Sequence, residues 1–297
     1  MFRQLQQKAG AWTRSFFRGS KLAYLEESLK QIRVSNDYLM SIWLQGQPPH
    51  PNPLLQHGKK FYSQSDEDGI LLEILRRIGL KSGTCVEIGC GNGLENNTLN
   101  LVLLGWPSVW IDAGRLAIDA GCNSDLLYFE QAFVNVDVVS DIVRRGLERL
   151  KSSGVDVLSI DVDGNDGYLA KALLQSGFTP SVIIIETNEI IPPPIRFAQL
   201  YDSESVWDGT KNSGWSLQSI ADLLSEFKYT CIACNRETGV NAFFISDRHL
   251  QAFTDVPREL SVLYVGKSIH PQKFRDRRHQ VTAALVENLL RQAKRTD

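Results

Sequence analysis

Residues 86–93 read Val-Glu-Ile-Gly-Cys-Gly-Asn-Gly, and a second apolar run ends at Asp112, nineteen residues past the last glycine. An apolar strand ending in an acid, a glycine turn, a helix, and another strand ending in an acid form a parallel strand–helix–strand unit. Units of this kind build doubly wound α/β sheets, whose ligands gather beyond the carboxyl ends of the strands. Gly89, Gly91 and Gly93 let the backbone pass close to a ligand, and Asp112 has the place of an acid that accepts from ribose hydroxyls. The dinucleotide fingerprint requires a further glycine where this chain has Leu94. Glu87, just before the turn, would repel a pyrophosphate. S-adenosylmethionine carries a sulfonium and an amino group but no phosphate, so it suits this turn better than NAD.

The rest of the chain supports such a sheet. Ser65-Asp-Glu-Asp68 reads as a helix start, with Ile70, Leu71, Ile74, Leu75 and Ile78 as its buried face. Strands are expected at 84–88, 109–111, 128–134, 155–160 and 182–185, and helices near 95–98, 140–150, 168–175 and 216–227. Runs at 230–234 and 242–245, turned at Glu237-Thr-Gly239, close the domain as a hairpin, so a mostly parallel sheet with an antiparallel edge is expected. The resulting division is a helical extension over 1–45, a proline-rich linker over 46–58, the main domain over 59–268 and a basic helix over 269–297.

Phe2, Leu5, Ala9, Trp12 and Phe16 make an apolar stripe among Arg3, Lys8, Arg14 and Arg18. Residues 1–18 can therefore lie on a membrane surface or pack as one arm of a helical hairpin. Leu22, Leu25, Leu29, Ile32, Asn36, Leu39 and Trp43 form a heptad-like face with one polar position, suited to a domain surface or a second subunit. Net charge is −2, but residues 1–60 carry nine Lys/Arg against three acids, and 61–269 carry 28 acids against 16 basic residues. An acidic body argues against a nucleic-acid substrate. The five cysteines are odd in number and scattered, and Cys231-Ile-Ala-Cys234 is a lone CxxC, so a disulfide framework is not expected. With no secretory segment and no long apolar run, a cytoplasmic protein is expected, peripheral at the inner membrane surface if residues 1–18 bind lipid.

Acids mark four expected strand ends: Glu87, Asp112, the run Asp161-Val-Asp163-Gly-Asn-Asp166, and Glu186-Thr-Asn188-Glu189. Asp161 and Asp163 flank one valine, so on a strand both would point to one side. With Glu186 and Asn188 they make an oxygen-rich pocket, which can hold Mg²⁺ or another hard cation, bind sugar hydroxyls, or supply a metal-free base. Asp161 and Asp163 are the candidate catalytic groups; Asp161, Glu186 and Asn188 are the candidate metal ligands. Asn97, at the next helix start, can face the cofactor's carboxylate, where free N–H groups also point. Asn96-Asn97-Thr98 is more simply a helix cap than a glycosylation site. The five histidines fall outside these motifs, His249 after the last strand being the nearest alternative base. Hydrolase elbows, Walker loops and zinc-protease motifs do not occur.

Together these residues resemble the class I S-adenosylmethionine-dependent methyltransferases, and within them the FkbM-like family. The resemblance rests on Ser63–Gly69, Val86–Gly93, Asn96–Thr98, Trp110–Asp112, Ile160–Asp166, Ile185–Asn188 and Gly239–Phe244, spread over about residues 60–246. It implies a Rossmann-like seven-stranded sheet with its last strand antiparallel, and methyl transfer to a hydroxyl, often of a saccharide or natural product. It also implies cofactor contacts at Glu87, Gly89, Gly91 and Asp112, with Gly93 completing the turn. Some small-molecule O-methyltransferases hold a metal at the ends of strands four and five, where Asp161, Glu186 and Asn188 stand here; the Glu186–Asn188 spacing departs from the usual adjacent Asp-Asn pair. After strand three, Asn135 and Asp137 are the candidate adenine contacts. Selection of a glycan or glycosylated metabolite falls to Ile190–Trp215, whose Pro192-Pro-Pro194, Tyr201, Trp207, Asp208 and Trp215 offer rigid turns and aromatic faces. Non-sugar acceptors, an NAD-dependent dehydrogenase, and a non-catalytic scaffold with a partner-binding N-terminus are the rival readings.

Overall fold

In a computed structural model of the chain, the described residues are 48–118, 124–207 and 213–266, with scattered positions between 28 and 46. The chain divides into two compact units, Met1–Pro49 and His50–Asp297. In the first, Ser28, Leu29, Gln31, Ile32, Ser35, Leu39, Ile42 and Trp43 are helical. The expectations for residues 1–18, Leu22, Leu25, Asn36, Asp208 and 269–297 lie outside the described residues.

The second unit is a seven-stranded, mostly parallel α/β sheet. Its strands are β1 (Cys85–Ile88), β2 (Ser108–Asp112), β3 (Leu127–Gln131), β4 (Val157–Ile160), β5 (Val182–Glu186), β6 (Tyr229–Cys234) and β7 (Asn241–Ser246). Their spatial order is β3-β2-β1-β4-β5-β7-β6. β1 to β5 pair in parallel, and β7 runs antiparallel to both β5 and β6. The antiparallel strand therefore lies inside the sheet rather than at its edge, which β6 occupies. The tight turn to Gly239 reverses the chain, and β7 then fits between β5 and β6.

Strands buried on both faces read as continuous apolar runs, and here β1 and β4 are buried throughout. The helices are α1 (Glu67–Arg77), α2 (Leu99–Leu103), α3 (Val139–Arg149), α4 (Asp166–Gln175), α5 (Leu217–Glu226) and α6 (Leu260–Leu263). α1 turns Ile70, Leu71, Ile74 and Leu75 into the core, and α3 turns Val139, Ile142, Val143 and Leu147 inward. The stretch expected as linker is partly structural. Pro53–His57 forms a 3₁₀ turn capped by Asn52, whose side chain accepts from the Leu54 N–H at 3.0 Å and donates to the Ile232 carbonyl at 2.7 Å. Leu54 and Leu55 join the core, so residues 50–58 belong to the second unit. Among the described residues no helix is long and apolar enough to cross a membrane.

Candidate functional site

Strand register places one polar row along the carboxyl edge of the sheet. Asp112 is level with Gln131 on β3; Ile111, Ile88, Ile160 and Ile185 are level across β2, β1, β4 and β5; Glu186 is level with Asn241 on β7. One residue beyond the isoleucines, the row therefore runs Asp112, Gly89, Asp161, Glu186, Asn241. Two backbone hydrogen bonds continue the pairing, Gly89 N–H to Ile111 O at 2.8 Å and Asp161 N–H to Ile88 O at 2.9 Å. Level residues on adjacent strands face the same side of a sheet, so the acids of three strands share one surface.

The glycine turn needs its glycines for different reasons. Gly89, Gly91 and Gly93 all have positive φ, at 85°, 58° and 78°. A Cβ on Gly89 would stand 1.7 Å from the Asp161 carbonyl oxygen, whereas one on Gly91 meets nothing within 4 Å. Gly89 thus permits close packing of β1 against the loop after β4, and Gly91 borders open space. Asp112 steadies the turn, accepting from the Gly91 and Gly114 N–H groups at 2.7 Å each, and its half-buried carboxylate still lines the cleft.

Glu87 has a different place from the one expected. It is buried beneath the turn, accepting from the N–H groups of Asn97 at 2.8 Å and Thr98 at 2.9 Å, and from the Thr98 hydroxyl. Burial pushes its carboxyl up to about 7, against the pull of those hydrogen bonds. Asn97 also turns inward, donating to Ser159 Oγ at 3.1 Å. Both residues hold the segment between turn and α2 rather than face a ligand, because alternation on β1 sends the Glu87 side chain toward Ser159 and Trp110, its level neighbours. Asn96 caps α2 through the Leu99 N–H, as expected.

Carboxylate oxygens of Asp161, Asp163 and Glu186 come within 4.8 Å of one another. β4 ends at Ile160, so Asp161 and Asp163 meet through a turn and not through strand alternation. Asp163 takes a left-handed φ of 57°. Asp166 fixes that turn, accepting from the Val162 N–H at 2.9 Å and the Gly164 N–H at 2.8 Å. Burial raises the Asp166 carboxyl to about 6. Asp161 is raised well above the usual carboxylate range by burial and by the charges of Asp166, Asp163, Glu87 and Glu67. Asn188 is held by its own segment. Its side chain accepts from the Ile190 N–H at 3.1 Å and donates to the Ser213 carbonyl at 2.9 Å, tying down the segment after β5. Asp163, expected as a catalytic group, stands with Asp161 and Glu186, two of the three expected ligands.

A cleft of about 180 Å³ opens beside the row, between Gly89, Asp112, Asp161 and Asp163, with Phe133 and Val134 on one side and Val206 and Trp207 on another. No Lys, Arg or His is among the described residues that line it. A larger groove of about 500 Å³ lies at the amino edge, by Thr84, Asp156, Arg144 and Arg248. Ligands of open α/β sheets bind at the carboxyl edge, and the glycine turn and acids lie there too, so the smaller cleft is the candidate site. His249 accepts from Arg248, away from it. Cys231 and Cys234 are buried free thiols on β6, and among the described residues no third metal-ligating side chain groups with them.

No protein-family model matches the chain, and no curated protein matches it. Solved structures bear a distant likeness, two of them as follows. A candidate hemolysin from Lactococcus lactis is 12% identical with a TM-score of 0.36, over 63% of this chain and 90% of that one. A structure from work on converting a disulfide bond into a thioacetal group during echinomycin biosynthesis is 14% identical with a TM-score of 0.26, over 59% and 79%. Function is therefore read from the site itself.

Three parts of the site carried no clear signal in the sequence. After β3 the cleft is bordered by Phe133 and Val134, not by Asn135, whose side chain accepts from the Asp137 and Val138 N–H groups at the start of α3. Glu67, on α1, accepts from Ser65 and from Asn241 Nδ2 at 3.0 Å, and so ties the helix start to the polar row. Gln199 packs against Gly164 and accepts from the Gly214 N–H, pinning the long segment over the Asp161–Asp166 turn. The Ser63–Gly69 and Gly239–Phe244 motifs contained two of these contacts, but only the folded chain joins them. Tyr201 and Trp215 pack edge-on against Tyr168, at 5.2 and 4.9 Å, while Trp207 and Phe133 stay half exposed at the cleft mouth.

Proposed function

We propose that this chain is an S-adenosylmethionine-dependent O-methyltransferase. The observation that carries the reading is a cleft bordered by a glycine turn and three aspartates, with no basic side chain among its described lining. A phosphate-bearing dinucleotide would meet the carboxylates of Asp112, Asp161 and Asp163 there, which repel it, whereas a sulfonium is attracted by them. Asp112 has a carboxylate available to ribose hydroxyls, Phe133 and Val134 offer an apolar wall to an adenine ring, and Gly91 leaves room for close backbone approach. A cytoplasmic location, where such a cofactor is made, is part of the same proposal.

In the proposed reaction an acceptor hydroxyl oxygen attacks the methyl carbon. The carbon–sulfur bond breaks to leave S-adenosylhomocysteine, and the hydroxyl proton passes to a carboxylate. An alcohol is a poor nucleophile at neutral pH, so the proton needs a base or a metal close by. Asp163, exposed at the cleft, is assigned as that base, and Asp161, raised by burial and by its charged neighbours, as the group that shares the proton. Carboxylates this close repel one another, and a proton or a cation between them relieves that repulsion. Asp161, Asp163 and Glu186 would also hold Mg²⁺ or a similar hard ion, whose contribution would be to lower the pKa of the acceptor hydroxyl. The half-exposed Trp207 and Phe133 beside carboxylates suit a saccharide or glycosylated metabolite, with apolar C–H faces and hydroxyl edges. Incubation with labelled cofactor and a panel of glycan and phenolic acceptors, with and without EDTA, tests this reading. Label transfer to a hydroxyl supports it; binding of NADH with no cofactor binding would replace it with the dehydrogenase reading.

A further inference from the structure

Leu29, Ile32, Leu39 and Trp43 are helical yet 60%, 55%, 61% and 40% exposed in the single chain. Read with the sequence, they belong to a longer series. Leu22, Leu25, Leu29, Ile32, Asn36, Leu39 and Trp43 alternate spacings of three and four over three heptads. That 3.5-residue period makes the narrow seam of a coiled coil; a helix packed on a globular surface shows a broader stripe at 3.6. In heptad terms Leu22, Leu29, Asn36 and Trp43 are a positions, and Leu25, Ile32 and Leu39 are d positions.

We propose that this seam is covered by the same seam of a second copy, in a parallel, in-register, two-stranded coiled coil about 33 Å long. Asn36 selects the occupant. A lone asparagine amide at an a position is satisfied by its own counterpart, and this happens only when two helices run parallel without a shift. Antiparallel or slipped pairing would set the amide against leucine or isoleucine and leave a buried polar group unpaired. Leu29 at a followed by Ile32 at d is compatible with more than two strands, and the asparagine pair restricts the assembly to two. The flanks agree: Lys21 at g and Glu26 at the following e position bring opposite charges across a parallel interface. The proposal is independent of the cofactor reading.

The full chain should sediment, at tens of micromolar, with twice its 33.4 kDa mass. The double variant Leu29→Asp with Leu39→Asp should sediment as a monomer while its thermal unfolding, followed by tryptophan fluorescence, stays that of the parent domain. Asn36→Cys should form a covalent dimer on mild oxidation, under conditions that leave the parent uncrosslinked. A monomeric parent, or a dimer that survives the double variant, overturns the proposal. A dimer lost in the double variant but not crosslinked at position 36 overturns the parallel register.

Discussion

Gly89 and Asp161 face each other across β1 and the end of β4 so closely that a Cβ on Gly89 would lie 1.7 Å from the Asp161 carbonyl oxygen. This contact joins the glycine turn to the acid cluster: whatever displaces one displaces the other. Gly89→Ala should therefore destabilise the domain by on the order of 2–5 kcal/mol, from left-handed strain plus overpacking. Gly91→Ala has the strain without the clash, so it should be destabilised by only about 1–2 kcal/mol. Urea unfolding of the two variants checks the difference, and equal losses would show that the close approach is not a constraint.

Stability should fall as the medium passes from mildly acidic to neutral. Glu87, ordinarily near 4.5, is held at about 7, and Asp166, ordinarily near 3.8, at about 6. Between the unfolded and folded values the native protein holds protons that the unfolded chain releases, so raising the pH favours unfolding. The contribution is complete below the unfolded values and lost as pH rises through about 6 to 7. For Glu87 it is on the order of 3 kcal/mol. Melting temperatures across pH 4.5 to 7.5 check this, and Glu87→Gln should flatten the upper part of the profile. A parent melting temperature that climbs through that window would contradict the assignment.

Asp163→Asn should lower kcat by about 10²–10⁴-fold with little change in cofactor affinity, as expected for loss of a general base. Steady-state rates with the true acceptor test this, and normal turnover would remove Asp163 from the mechanism. EDTA separates the two forms of the acid cluster: activity lost to chelation and restored by Mg²⁺ assigns a cation to Asp161, Asp163 and Glu186, and indifference assigns the shared proton.

Trp207→Ala should raise the KM for acceptor while leaving the fold intact, because the ring is half exposed at the cleft mouth. Losing one aromatic face from a binding surface corresponds to roughly 1–3 kcal/mol, or about tenfold or more in KM. Initial-rate measurements over a range of acceptor concentrations are the check. An unchanged KM would place acceptor binding elsewhere.

Residues 84–112 were legible because two apolar runs, each with an acid at or next to its end, flank a turn punctuated by glycines. Other features depended on contacts remote in sequence. The hydrogen bonds of Asn188 to Ile190 and Ser213, which tie down the segment after β5, have no signature in its spacing from Glu186. Glu87 reads as a ligand acid, but alternation on β1 and the return of Asn97 and Thr98 bury it. Asp163 reached the cluster by a left-handed turn, for which spacing alone carries no sign. The position of β7 inside the sheet followed from strand pairing, while its direction was already implied by the Gly239 turn. Apolar Phe133 and Val134 were passed over because polar neighbours looked more like recognition groups.

The central claim is that the cleft at Asp112 and the glycine turn binds S-adenosylmethionine, and calorimetric titration of the purified chain tests it most directly. The expected result is one site of micromolar affinity, weakened at least about tenfold by Asp112→Ala through loss of a charge-assisted hydrogen-bond acceptor, with no heat from NADH. Absence of binding to the folded parent, or equal affinity in Asp112→Ala, would contradict it.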